Sequence, residues 1–475
     1  MPKINPDILI LIFDKLQHDK KSLYSCLLVN REWCRIVVPI LWKFTWYNDE
    51  KSEKKLFNTI LFCLPISSKQ LLTDNGVKLQ LSLMTGQPLF KYISFCTFPN
   101  NSIVYKMIEM ILEDDYSFLK QVKRGLLKQE IFKLFVGQCK NIKKLEWDNA
   151  QPLSLFPGAS TCFFLLRDLY VDVDFVKSDA LYGMAQICKN IEKLTLHNCI
   201  QEIPGLISLI DVQRNLKSLS IHYKEFKGIG KELSKAMRRK AKTITELYLS
   251  PVNCVSPLTL TSFIKLEKGL FYNFPNNEYD KEIEEFQRYL KILEFPDLQY
   301  LEIEHLSCFK ELSLLIEKSK GNILEINIYT KNENAENAGS LIKTISRKCP
   351  KIEKLTTHLD HIGLKYLKEL LINCNYLKYL RLDCLHPKPE NMGDEILDII
   401  IRYSPFTLKE IHLSDTWMFS VDGFKRFFES WKGRNLIDFE IIYHNYNNYS
   451  YITTNHKNII RNYINEKVIN FSNCL

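Results

Sequence analysis

Along most of this chain apolar residues return in one six-residue frame, apolar-x-x-apolar-x-apolar. It is read at Phe90-Lys-Tyr-Ile93-Ser-Phe95, Ile142-Lys-Lys-Leu145-Glu-Trp147, Leu166-Arg-Asp-Leu169-Tyr-Val171 and Ile191-Glu-Lys-Leu194-Thr-Leu196. Leu216-Lys-Ser-Leu219-Ser-Ile221 and Ile244-Thr-Glu-Leu247-Tyr-Leu249 follow, and later copies begin at Leu298, Ile323, Ile352, Leu377, Leu408 and Leu436. The frame alternates as a strand does, so its apolar members share one face and their neighbours take the other. One such face is too small to make a core, but stacked neighbours join their faces into a continuous one. Most copies recur after 24–31 residues, and the stretches between them, such as Ala180 to Cys188 and Tyr366 to Cys374, read as helices. The intervals from Phe90 to Ile142 and from Ile244 to Leu298 are double, and each is expected to hide a degenerate copy.

The N-terminus follows another rule. In Asp7-Ile8-Leu9-Ile10-Leu11-Ile12-Phe13-Asp14, six consecutive apolar residues, Ile8 to Phe13, lie between two aspartates. Leu16 continues the Leu9, Ile12, Phe13 stripe at helical spacing, which predicts a helix. A surface helix needs an apolar face of only about 100°, and this one is apolar nearly all round, so it is expected to be covered on two sides. Ser22 to Asn30 predicts a second helix with Leu23, Cys26 and Leu27 on one face. Arg31 to Val38 predicts a third, carrying Trp33, Ile36 and Val37, with Pro39 expected to interrupt it before Ile40 and Leu41. Three short helices sit at the lower limit for an independent core and leave an apolar patch of the kind that marks a partner surface. Two covers are open: the rest of this chain, or a separate protein.

A period of this length with this frame is the leucine-rich-repeat signature. The expected fold is α/β: a short N-terminal three-helix segment, then a solenoid whose curved parallel sheet carries helices on its convex side. The boundaries fall at 1–46 for the three helices, 47–87 for a helical linker, 88–442 for the solenoid and 443–475 for a C-terminal cap. In the linker, Lys51 to Leu64 predicts a helix broken by Pro65. The acidic stretch Glu278 to Glu285 predicts a solvated helix inserted in the array, and Ile459 to Val468 a last helix closing it. Cys139, Cys188, Cys349 and Cys374 each stand three residues before a strand, where a small buried thiol suits a tight repeat interior.

Composition adds little and excludes much. The chain has 475 residues, 46% hydrophobic and 25% charged, as soluble globular proteins do. It shows no membrane-spanning run and no signal peptide, so a cytoplasmic or nuclear location and no membrane partner are expected. Fourteen cysteines without a Cys-x-x-Cys pair read as reduced, buried thiols. The net charge of +9 is scattered apart from the cluster Lys235 to Lys242. That cluster is either a solvated helix face near a helix C-terminus or an import or nucleic-acid patch. No aromatic residues interleave it, and no nucleic-acid partner is expected. No phosphate-binding loop is present, and Gly228-Ile-Gly230 reads as a turn. His358 lies on a strand and His361 beyond it, so no shared metal geometry follows. No nucleophile, base and orienting group fall together; no cofactor, no metal and no enzymatic activity are expected.

The first 46 residues also carry a resemblance. Ile4-Asn5-Pro6-Asp7-Ile8-Leu9, then Ile12, Phe13 and Leu16, then Ser22-Leu23, Cys26, Val29-Asn30-Arg31 and Trp33, and finally Leu41-Trp42, resemble an F-box. The family's Leu-Pro pair is here Ile4-Asn5, with the proline one place later. The resemblance implies binding to the Skp-type adaptor of a cullin–RING (SCF-type) ubiquitin ligase, through Ile4, Pro6, Asp7, Ile8, Leu9, Ile12, Phe13, Leu16, Leu27, Val29 and Trp33. The array is similar to the cysteine-containing leucine-rich repeats that commonly follow an F-box. By strand alternation, Tyr170, His197, His222, Tyr248, Tyr300, Tyr329, His358, Tyr379, Arg381 and His412 project from the concave face. Such aromatic and amphipathic types are enriched at protein-binding hot spots, although they are also good strand-surface residues. The expected function is a substrate receptor that docks the adaptor and holds a target protein for ubiquitination. The rivals are a repeat scaffold that binds a protein without any ligase, an enzyme, and an RNA-binding horseshoe.

Overall fold

The computed structural model describes residues 5–43, 50–79, 86–113, 115–199, 202–224, 229–273, 281–330, 337–384, 392–434, 436–443 and 452–474. The chain divides into two compact units, Met1–Leu216 and Lys217–Leu475.

The first unit opens with α1 (Pro6–Lys15), α2 (Lys20–Leu27) and α3 (Arg31–Lys43). Asn5 caps α1 by accepting the Asp7 N–H, and Pro6 occupies the first turn, where its missing N–H costs nothing. Asp19 caps α2 through the Ser22 N–H at 3.2 Å. Both helices pack on α3, and their shared core is Leu9, Phe13, Leu23, Val37, Ile40 and Leu41. The expected interruption at Pro39 does not occur, and α3 runs on to Lys43. Ile40 and Leu41 complete the core beyond the proline, and that burial offsets the lost backbone bond.

Helix α4 (Glu50–Phe62) ends before Pro65 as expected. It is followed by α5 (Ile66–Asp74), an element beyond those expected from the sequence. The copy at Phe90 is not a strand: Tyr92–Phe95 is a 3-10 turn. The copy expected between Phe90 and Ile142 is likewise replaced, by α6 (Asn101–Ile111) and α7 (Lys120–Gln138). A strand needs a neighbouring edge, and with two helices intervening the 90–95 segment has none to pair with in sequence order. Ile93 is buried nonetheless. Strands begin with β1 (Lys144–Trp147), then α8 (Ala159–Phe163), β2 (Asp168–Asp172), α9 (Ser178–Ile187), β3 (Lys193–Cys199) and α10 (Pro204–Val212). The three strands are parallel, with Leu145, Leu169 and Leu194 in one row, and α9 packs along α10.

The second unit repeats this alternation. Its strands are β4 (Ser218–Tyr223), β5 (Glu246–Ser250), β6 (Lys268–Tyr272), β7 (Tyr300–Glu304), β8 (Glu325–Tyr329), β9 (Lys354–His358), β10 (Tyr379–Asp383), β11 (Glu410–Ser414), β12 (Ile437–Ile442) and β13 (Ile469–Phe471). They lie in chain order. The helices are α11 (Lys231–Lys240), α12 (Pro257–Leu260), α13 (Lys281–Leu290), α14 (Phe309–Glu317), α15 (Ala338–Lys348), α16 (Leu364–Asn373), α17 (Gly393–Tyr403), α18 (Val421–Trp431) and α19 (Thr454–Asn465). Strand β6 is the copy hidden in the second double interval. Gly269 stands at its first inward position, and a Cβ there would come within 2.9 Å of the Phe271 ring, whose bulk fills the space instead. Residues 278–280 of the acidic stretch lie outside the described residues, and from Lys281 on it is not a solvated insertion. Helix α13 is the repeat's own, with Phe286 and Leu290 fully buried. The helix expected over Ile459 to Val468 stops at Asn465: the chain turns through Lys467 at φ 58°, and β13 pairs with β12.

Cys139, Cys188, Cys349 and Cys374 are the C-cap residues of α7, α9, α15 and α16. The Cys188 thiol donates to the Phe163 carbonyl at 3.2 Å and the Cys374 thiol to the Cys349 carbonyl at 3.6 Å, so each ties one helix end to that of the preceding repeat. Burial pushes both thiols up to about 12. All fourteen cysteines are free. Among the described residues no helix is long and apolar enough to cross a membrane.

Candidate functional site

Two surfaces carry the residues singled out in the sequence, one in each kind of fold element. The first is on α1 and α2. Because α1 is apolar nearly all round, only one stripe can face α3, and Leu9 and Phe13 take it at 3% and 1% exposure. Leu16, Leu27 and Trp33 pack partly buried against the same core, Trp33 edge-on to Phe13 at 5.1 Å. Five of the residues given an adaptor-facing role therefore belong wholly or partly to the interior. Pro6, Asp7, Ile8, Ile12 and Val29 are exposed, and Ile4 lies outside the described residues. The open apolar surface is wider than the resemblance indicated. Leu11 is 68% exposed and Leu28 87%, with Ile10 and Tyr24 also open. No motif position names Leu11 or Leu28; the all-round apolar character of α1 was the signal for the former.

The second surface is the sheet face turned away from the helices. In the first unit, Tyr170 and His197 are half-buried there with rings 4.8 Å apart. Burial lowers the His197 pKa and raises that of Tyr170. In the second unit, His222 stacks on Tyr248 at 4.2 Å, and Tyr248 lies 4.8 Å from Tyr272. The Tyr272 and Tyr300 hydroxyls both donate to the Glu302 carboxylate. Burial, then that carboxylate, pushes both phenols up. Lys268 places its ammonium 4.6 Å from the Tyr300 ring centre, and the Arg381 guanidinium lies 5.7 Å from that of Tyr329. Tyr379 lies 5.0 Å from His412, which is buried between Glu410 at 3.0 Å and Glu440 at 3.6 Å.

Not every residue assigned to this face is available on it. His358 is 3% exposed, and its Nε2 accepts the Thr330 N–H at 3.2 Å, a bond that holds the end of β8. His412 is 7% exposed. Tyr272, by contrast, is central and was missed, because Gly269 concealed its strand. Among the described residues no group of histidine, cysteine and carboxylate side chains is arranged to hold a metal ion.

Parallel strands in chain order, alternating with helices of which four are capped by a cysteine, define a leucine-rich-repeat solenoid of α/β class. No family model matches the chain, and no curated protein matches it. Among solved structures, the yeast Rad7 and Elc1 complex is similar at 12% identity and a TM-score of 0.36, over 76% of this chain and 89% of that one. The leucine-rich repeat-containing protein LegL7 from Legionella pneumophila is similar at 13% identity and a TM-score of 0.29, over 70% of this chain and 94% of that one.

Proposed function

We propose that this protein is a non-catalytic substrate receptor of a cullin–RING ubiquitin ligase. Helices α1 to α3 act as an F-box that docks a Skp-type adaptor, and the open sheet face holds a target protein. The observation that carries the reading is the uncovered apolar surface of Ile8, Leu11, Ile12, Leu28 and Val29. A patch of large aliphatic side chains on two small helices loses free energy in water at about 25 cal/mol per Å2 and regains it against a partner. The F-box resemblance, which Ile8, Ile12 and Val29 of this patch carry, names the partner class. Holding a target beside the ubiquitin-charged enzyme turns an intermolecular transfer into an effectively intramolecular one, so the receptor needs no catalytic group of its own.

The test is capture of a recombinant Skp-type adaptor by the full chain. The double substitution Ile8→Asp and Leu28→Asp, which leaves the helix core intact, is expected to abolish capture. Unchanged capture in that variant, or none by the unaltered chain, rejects the ligase reading and leaves a repeat scaffold without a ligase.

A further inference from the structure

The open face of the second unit differs in charge from the chain that carries it. Between β4 and β12 its outward positions hold Glu246, Glu302, Glu304, Glu325, Asp383, Glu410, Asp438 and Glu440 against Lys268, Lys354 and Arg381. The whole chain is formally +9. Acidic character on one sheet face of a basic protein is a placement, and aromatic rings accompany it. Tyr248, Tyr272 and Tyr300 sit on β5, β6 and β7, with the Glu302 carboxylate between the last two hydroxyls.

This surface already attracts cations supplied by the chain itself. Lys268 lies over Tyr300 and Arg381 over Tyr329, as expected of a cation on the negative face of a ring. Glu302, in contrast, is held by the Tyr272 and Tyr300 phenols, with no ion pair to a cation among the described residues. A second cation arriving here would meet a half-buried carboxylate and the neighbouring ring faces together. A charge at this depth is screened less by salt than one in open water.

We propose that the β5–β8 strip binds a lysine- or arginine-bearing extended segment of the target, one cation settling on Glu302 between Tyr248, Tyr272 and Tyr300. This names the substrate class for the target-binding role proposed above and rests on that reading. Lys268 is the resident competitor for the same ring, so its removal should open the site.

The experiment presents the full chain to immobilised random dodecapeptides of even composition. Lysine and arginine are expected to be enriched at least threefold among bound peptides, and the enrichment should fall when salt is raised from about 0.1 to about 1 M, where the screening length drops from ~10 to ~3 Å. Glu302→Gln combined with Tyr248→Ala should remove the enrichment, and Glu284→Gln on helix α13 should leave it. Lys268→Ala should raise binding of basic peptides two- to threefold, a gain that misfolding cannot produce. Preference for neutral or acidic peptides, no binding by the unaltered chain, or the same enrichment in the Glu302 variant overturns the inference. Loss of adaptor capture with basic enrichment intact removes the ligase reading alone; target capture through segments without enriched cations removes this inference alone.

Discussion

The indole of Trp42 lies 4.5 Å from the ring of Tyr92, with the two planes 35° apart. The pair joins the end of α3 to the 3-10 turn at Tyr92–Phe95, and so anchors the three N-terminal helices to the rest of their unit. Trp42→Ala should cost about 2 kcal/mol, less than the ~3–5 of a fully buried aromatic because this ring is half-buried. The loss should show as faster amide exchange in residues 6–43 while the amides of β1 to β3 keep their protection.

Ile8 and Leu9 are sequence neighbours with opposite fates, 51% and 3% exposed. Ile8→Asp is expected to change stability by no more than about 0.5 kcal/mol. Leu9→Asp places an unpaired charge in the core of Phe13 and Leu23 and should unfold the three helices. Amide exchange of the two variants separates the cases, and equal protection in both would contradict the burial described here.

The Glu130 carboxylate is 2% exposed, accepts the Ser68 hydroxyl at 2.6 Å and meets the Lys133 ammonium at 3.1 Å. Ser68→Ala leaves one of its oxygens without a donor, at a cost of roughly 1–3 kcal/mol. Chemical denaturation should show a lower midpoint with an unchanged slope, because α5 remains docked on α7 in the folded state.

His456 is buried at the start of α19. The Thr453 N–H donates to its Nδ1 at 3.1 Å and its Nε2 donates to the Phe419 carbonyl at 3.0 Å, an arrangement that fits the neutral ring. Burial lowers its pKa below 6.5. Below that value the unfolded chain binds the proton and the folded chain does not, so stability falls as pH drops from 6.5 towards the folded pKa. The thermal unfolding temperature of the native chain should fall as pH drops through that window, and His456→Gln, lower in stability throughout, should flatten the dependence.

The repeats are legible in the sequence where all inward positions are apolar, as in Leu166, Leu169 and Val171. Strand β6 is not, because Gly269 removes the middle member and Phe271 supplies its volume from the same strand. The opposite error occurs at Phe90, where the frame is intact but only Ile93 of its three apolar residues is buried. A frame records alternation and says nothing of whether an edge waits beside it. Alternation also shows which residues leave the core, and Tyr248, Tyr300 and Tyr379 lie where it puts them. It cannot show depth: His358 and His412 share that parity and are nonetheless buried, the first bonded to the Thr330 N–H and the second between Glu410 and Glu440. On α1 the apolar run is legible, while the division between Leu9 facing α3 and Leu11 facing solvent depends on how α3 lies against it.

The helix-end thiols have a consequence for how such a chain lengthens. Cys188 reaches the carbonyl of Phe163 and Cys374 that of Cys349, each 25 residues back. The Cys139 thiol makes the equivalent reach to the Ile93 carbonyl across 46 residues and two helices. The joint is therefore indifferent to how much chain is paid out between one cap and the next. The seam thus keeps the same donor and acceptor chemistry whether 25 or 46 residues separate its two ends.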